Sequence, residues 1–149
     1  MITLAQVVRR ILLDLHISQP ESVKDWFTTV AYLPDSPQAK DNIITVTDTE
    51  GNKDGRIMYS GETIIHPGCQ IRTRATTYLT AYQKIKEIQI AMDKVHNYMT
   101  QIDNTMAYLQ TISQQGGIMP MGLDSSGRRF HFSINYIATI RYVETSPSQ

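Results

Sequence analysis

The sequence predicts an α+β domain: a mostly antiparallel sheet with an N-terminal helix and one long helix packed on one face. Three observations carry that prediction. Leu4, Val7, Val8, Ile11, Leu12 and Leu15 recur at helical spacing, so the chain opens on an amphipathic helix. Near the other end, Phe130, Phe132, Ile134, Tyr136, Ala138, Ile140 and Tyr142 alternate with Arg129, His131, Ser133, Asn135, Ile137, Thr139 and Arg141, the period of a strand with one core face and one wetter face. Between them several β-favouring segments surround one long helical pattern, with no alternation of strands and helices through glycine-rich turns.

The elements follow in order. Thr3 and Gln6 supply a capping-box start for the first helix, and Ser18-Gln19-Pro20 a stop. WFTTVAY (26–32) reads as a short strand closed by Pro34 and Pro37, with a helical turn opening near Ser22 as the alternative. NIITVTD (42–48) is a stronger strand, because β-branched residues fit an extended, part-buried chain. TEGNKDG (49–55) holds two glycines and no apolar residue and reads as a turn or mobile loop tip. RIMYSGETII continues as broken extended structure to a Pro-Gly corner, and Cys69–Ala75 forms the next strand, with Arg72 and Arg74 on one face.

Tyr78, Leu79, Tyr82, Ile85, Ile88, Met92, Val95 and Met99 then mark a helix of roughly five or six turns. MAYLQTI (106–112) is a strand candidate ended by the Gly116-Gly117 break, and IMPMGLDSSGRR a turn-rich connection to the last strand. The whole chain, 1–149, is read as a single domain, with 144–149 a frayed tail.

A chain of 149 residues can bury roughly 70% of its unfolded surface, so a core needs no covalent staples. Fourteen basic residues balance fourteen acidic ones, which argues against a generic polyanion binder while allowing a local basic patch. Cys69 is the only cysteine, so no intramolecular disulfide and no CxxC zinc pattern exist, as suits a reducing compartment. Arg9, Arg10 and Asp14 interrupt the N-terminal apolar residues, which argues against a signal peptide. No apolar run approaches the roughly 20 residues that span a bilayer, so the expectation is a soluble product, intracellular where it is made, with no membrane partner.

Chemistry-bearing motifs are sparse. His66 and Cys69 stand three apart, but zinc needs three or four ligands and no second pair has suitable spacing. No phosphate-cradling glycine loop, nucleophile elbow or HExxH is present, so no enzyme, metal or cofactor is expected. Phe130, Phe132 and Tyr136 are of the type that stacks on bases from a sheet surface, yet they share a face with Ile134, Ala138 and Ile140, which favours core packing. Arg9-Arg10 and Arg128-Arg129 read as surface charge. Arg72 and Arg74 stand out: adjacent like charges repel unless the face is solvated or meets carboxylates, and arginine suits such contacts between subunits.

Taken together, YLPDSPQAKDNIITVTDTEG, RIMYSGETIIHPGCQIRTRATTYLTAYQKIKEI and GLDSSGRRFHFSINYIATIR resemble the tail terminator (head–tail joining) proteins of long-tailed bacteriophages, also called minor capsid proteins. The shared features are a Pro-Asp-x-Pro before an Ile-Thr-Val-x-Asp-Thr strand, a Pro-Gly, an Ile-x-x-Arg strand, a helix opening on an aromatic, here Tyr78, and a Gly-Leu-Asp turn before a Phe-Ser-Ile-Asn-Tyr strand. They run in order from about Trp26 to Arg141, and GNKDGRIMYSG departs from the pattern.

The resemblance implies a structural virion protein of a siphovirus tail. It implies a homo-oligomeric, hexameric ring at the head-proximal end of the tail tube, which stops tube polymerisation and offers a surface to the head connector. The implied partners are other copies of the chain, the tail tube protein and the head connector or completion protein. Double-stranded DNA would pass through the lumen without specific binding. Localisation would be the tail–head junction of the virion, and the host cytoplasm during assembly. The alternatives are another head–tail connector or neck protein, or a small nucleic-acid-binding α+β module. Subunit or partner contacts are expected at Arg72, Arg74, Arg56, Ile57, Met58, Tyr59, Arg128 and Arg129, with Glu50–Glu62 suited to an inter-subunit arm.

Overall fold

The computed structural model describes residues 2–20, 25–31, 41–56, 63–123 and 127–144, with the backbone alone described in 51–56, 63–65 and 144. Among these, the order is α1 (Leu4–Asp14), β1 (Phe27–Val30), β2 (Ile43–Arg56), β3 (Thr63–Ala75), α2 (Tyr78–Met92), β4 (His96–Ile102), β5 (Thr105–Leu123) and β6 (Phe130–Glu144). The strands form one sheet in the order β1-β2-β3-β6-β5-β4. Its pairings are antiparallel except β1–β2, which is parallel, so the sheet is mixed.

Helix α1 forms where the sequence places it. Thr3 is its N-cap and donates its backbone N–H to Gln6 Oε1 at 2.8 Å. A second cap comes from far along the chain: Asp48 on β2 accepts the Ala5 N–H at 2.9 Å, setting a carboxylate against the positive end of the helix dipole. The helix ends earlier than Ser18-Gln19-Pro20 suggests. Leu15 is its C-cap, and His16 at φ 59° turns the chain in the left-handed region. Leu4, Ala5, Val7, Val8, Ile11 and Leu12 are buried and join Ile44, Val46, Ile71 and Ile134 of the sheet in one core.

Helix α1 packs against β1, β2, β3 and β4, and β1 and β4 are the two edges of the sheet. The sheet therefore curls until both edges reach the same helix. Helix α2 packs on β3 and β6. Its N-cap Thr77 accepts the Thr80 N–H at 3.2 Å, and Thr73 of β3 donates its hydroxyl to Ala81 O at 3.0 Å. Tyr78 and Tyr82 meet Phe132 edge-to-face, with Tyr78 also against Phe130, so these aromatics are packing residues.

Several segments differ from the sequence reading, each for a local reason. The TEGNKDG segment is the second half of β2, paired with β3 through irregular register at Thr49/Asn52 and Lys53/Arg56. Its polar composition is that of a ribbon rather than a loop. The His66-Pro67-Gly68 corner is continuous strand within β3. A Cβ on Gly68 would stand 2.6 Å from Thr49 Oγ1, 3.1 Å from Glu50 O and 3.3 Å from Tyr136 O, so glycine serves close strand approach here and not a turn.

The long helix stops at Met92, with Asp93 as C-cap, and His96–Ile102 is strand. Val95 and Met99 only continue the helical spacing by coincidence, and Met99 is exposed. Gly116-Gly117 does not end β5. The strand runs through, with a register shift between Gln115 and Met119 and Gly116 at φ 74°. In β6 the second face is not uniformly wetter, since Arg129, His131 and Ser133 are as buried as Phe132 and Ile134. Glu144, assigned to a frayed tail, pairs with Thr105, and 145–149 lie outside the described residues.

Candidate functional site

The sequence directs attention to arginines, and the structure sorts them by burial. Register pairs Arg74 with Ile43 and His131, and Arg72 with Thr45 and Ser133, so both arginines lie on the sheet face that carries Thr45 and Ser133. Arg74 is fully buried and donates Nε–H to the backbone carbonyl of Asp41 at 3.3 Å. Arg129, 2% exposed, donates Nε–H to Asp41 Oδ1 at 2.9 Å, and Arg128 Nη2 lies 3.6 Å from the same oxygen.

Asp41 thus gathers Arg74 through its carbonyl and Arg128 and Arg129 through its carboxylate, joining the start of β2 to the ends of β3 and β6. Arg74 and Arg129 have no surface left for a neighbour. The surface-charge reading of Arg129 is therefore corrected: it is a buried strut of the subunit. Arg72 is half-buried and Arg128 exposed, so these two keep access to a partner. Arg56 ends β2, with only its backbone described, and Ile57, Met58 and Tyr59 lie outside the described residues.

Edges and projections are the other surfaces that an assembling subunit can offer. Pairing between β3 and β6 begins at Gly68, whereas β2 and β3 pair on to Arg56 and Thr63. The β2–β3 ribbon therefore loses its ladder to β6 before Gly68, although β6 itself runs on to Glu144. Part of the predicted arm, Glu50–Arg56, is strand in this ribbon. At its root His66 Nδ1 contacts Thr139 Oγ1 of β6 at 2.9 Å.

A second open surface escaped sequence reasoning. β4 pairs with β5 only as far as Thr111, so from Ile112 to Leu123 β5 has β6 on one side and no strand on the other among the described residues. Met119, Met121 and Leu123 are exposed along that segment. The signal lay in IMPMGL, an apolar cluster with Pro120 that fits an edge strand and was read as a turn.

The remaining chemistry is quiet. Cys69 is buried, and burial, with the nearby Asp48 carboxylate as a secondary cause, pushes its thiol up to about 12, far from a reactive thiolate. Burial also raises Tyr136 and, up to about 12, Tyr98 and Tyr142; for Tyr98 the hydrogen bond it donates to Asp14 adds to the effect. Among the described residues no three His, Cys, Asp or Glu side chains gather as metal ligands would, and no helix is long and apolar enough to cross a membrane.

Comparison with known proteins gives one family. No curated protein matches the chain. The family model described as "Bacteriophage tail terminator protein" matches residues 11–142, which spans all the elements above except the start of α1 and the end of β6. That coverage makes the chain a member of the bacteriophage tail terminator family, a structural component of the virion.

Proposed function

We propose that the chain assembles with copies of itself into a closed ring, six-fold as the family resemblance implies, at the head-proximal end of the tail tube. There it stops tube polymerisation and offers its other surface to the head connector. The family match over residues 11–142 carries this reading. The subunit's shape supports it. A ring needs a heterologous interface in which each copy offers two different patches. This subunit has a two-stranded ribbon that parts from β6 before Gly68 and, among the described residues, an open, apolar-studded edge at Ile112–Leu123.

Among the described side chains, Arg72 and Arg128 are the expected charged contacts that reach the surface, while Arg74 and Arg129 act from within by holding the face together. Zero net charge suits a lumen through which DNA moves without being gripped. The reading involves no catalysis, cofactor or metal. The test is electron microscopy of lysates from the phage that encodes the chain, with the gene deleted. Overlong tubes beside separate DNA-filled heads are the expected result. Tails of normal length that fail to attach would make it a connector protein instead, and intact infectious particles would refute both roles.

A further inference from the structure

The sheet ends on two strands that each pair on one side only among the described residues, β1 with β2 and β4 with β5. Where these ends converge on α1 there is a cleft of about 420 Å³, lined by Gln6, Arg9, Arg10, Phe27, Val30 and Ile102 among others. That volume lies within the range of ligand-binding clefts. The outer border of β1 is taken in two places: Trp26 O accepts the Gln19 N–H at 3.1 Å, and Thr28 O accepts Arg9 Nε–H at 3.2 Å. The Ala31 N–H turns inward to Val46 O at 2.8 Å, so by strand alternation the N–H and C=O of Val30 point away from β2, toward the cleft that Val30 lines.

The α1 side of the cleft is cationic. Arg9 stands over the Phe27 ring at 5.6 Å, and this stacking with the bond to Thr28 O holds its guanidinium in place. Its terminal nitrogens have no hydrogen bond or ion pair among the described residues. Exposed Arg10 is in the same condition, while Asp14, four residues on, accepts the Tyr98 hydroxyl. None of the described lining residues is acidic.

We infer that this cleft is the docking site for an extended acidic segment of a partner protein, which enters between the two sheet ends, pairs with the open border of β1 and sets an Asp or Glu against Arg9 and Arg10. Each part of that occupant answers a feature of the site. Open backbone groups on a strand border take another extended chain. Two guanidinium groups without a carboxylate take one in forked geometry, and arginine is enriched at protein interfaces. Phe27, Val30 and Ile102 supply apolar wall, which suits the alternate side chains of a strand and offers nothing to a bare phosphate. The inference goes beyond the ring reading and does not depend on it.

The test is NMR titration of the full chain with the peptide Ac-Val-Glu-Val-Glu-Val-NH2, beside its glutamine counterpart and inorganic phosphate. Expected is a saturable shift of the Arg9 Nε–H and of the Val30 amide. Affinity should fall roughly tenfold for the glutamine peptide, and by a similar factor for the Arg10→Gln chain. Arg10 is exposed and bonded to no other element among the described residues, so a thermal melt of that variant should match the wild type. In the gene-deleted phage complemented in trans, Arg10→Glu should lower infectious titre roughly tenfold or more, as for charge reversal in an interface.

No saturation by millimolar peptide would overturn the cleft as a docking site. Equal binding of the two peptides would overturn the carboxylate, and a shift at Arg9 without one at Val30 would overturn strand pairing. Phosphate that binds more tightly than the acidic peptide would replace the protein occupant by a phosphate. Wild-type titre from Arg10→Glu would overturn the contact as one that the virion uses. Tail length in the gene-deleted phage tests the ring reading by itself, so the two can fail separately.

Discussion

Replacing Asp41 by asparagine tests the central electrostatic claim of the fold. The substitution keeps the shape and the backbone carbonyl that accepts from Arg74, and removes only the charge facing Arg129. Arg129 is 2% exposed, so the guanidinium left behind cannot recover its hydration. Breaking a buried ion pair costs about 3–5 kcal/mol, and one charge-assisted hydrogen bond about 1.5–3 kcal/mol. The lower range applies here, for two reasons. The Asp41 side chain is 43% exposed, and Arg129 keeps further contacts. The exposed pair with Arg128, at 3.6 Å, adds little.

A loss of about 2 kcal/mol is the result, or roughly 4–8 °C in Tm for a chain of this size. The reverse truncation, Arg129→Met, should cost less, because a half-exposed aspartate is rehydrated. Urea unfolding of both single variants and the double variant checks the arithmetic, provided the m-value is unchanged. The double variant should be more stable than the sum of the singles allows, by about 1 kcal/mol. An Asp41→Asn protein within about 0.5 kcal/mol of wild type, or a double variant that is simply additive, would refute the buried-strut argument.

Two further predictions follow from the same structure. Gly68→Ala forces a methyl against two backbone carbonyls at 3.1 and 3.3 Å, so it should destabilise by about 1–3 kcal/mol in denaturant unfolding; an unchanged midpoint would show that the strands part easily there. Cys69, Tyr98 and Tyr142 have folded pKa values raised to about 12 from ordinary values of 9.0 and 10.0. The folded state thus holds these protons more tightly than the unfolded one. Their contribution to stability is complete below about pH 9 and is lost as pH rises toward 12. Thiol labelling in native buffer near pH 9 should run at roughly a thousandth of the denatured rate, and fast labelling would place Cys69 at the surface.

How much of this was legible in the sequence depends on where the cause lies. Helix α1 and strand β6 were readable, because their burial patterns arise from one local period against one large core: Val7, Val8, Ile11 and Leu12 in the helix, Phe132, Ile134 and Tyr136 in the strand. The boundary at Met92 was not, because nothing like glycine or proline marks it and Val95 and Met99 stay in phase with the helix. The better signal was the alternation of Tyr98, Thr100 and Ile102, which are the half-buried positions of β4. Polar ribbons and glycine-containing edges were also misread, since Glu50–Arg56 extends by pairing with β3 and Gly116-Gly117 is an irregularity carried within β5 between paired residues on either side, and neither follows from local propensity. The role of Arg129 was out of reach: its carboxylate stands 88 residues away in sequence. The cleft at Arg9 and Arg10 depends on the curl of the whole sheet and has no local sign at all.

The strand order has a consequence for how the protein comes to be folded. β6, last in the chain, lies at the heart of the sheet between β3 and β5. During synthesis the inner border of β3 therefore waits for a partner that begins 55 residues after β3 ends, roughly 3–11 s at ordinary translation rates. Until then Ile71 and its neighbours present a bare hydrogen-bonding border, the kind on which nascent chains aggregate. Closure is a long-range event of high contact order, and it completes only when Phe130–Glu144 has left the ribosome. Loss of the final strand would divide the sheet in two, leaving one half without the other to pack beside.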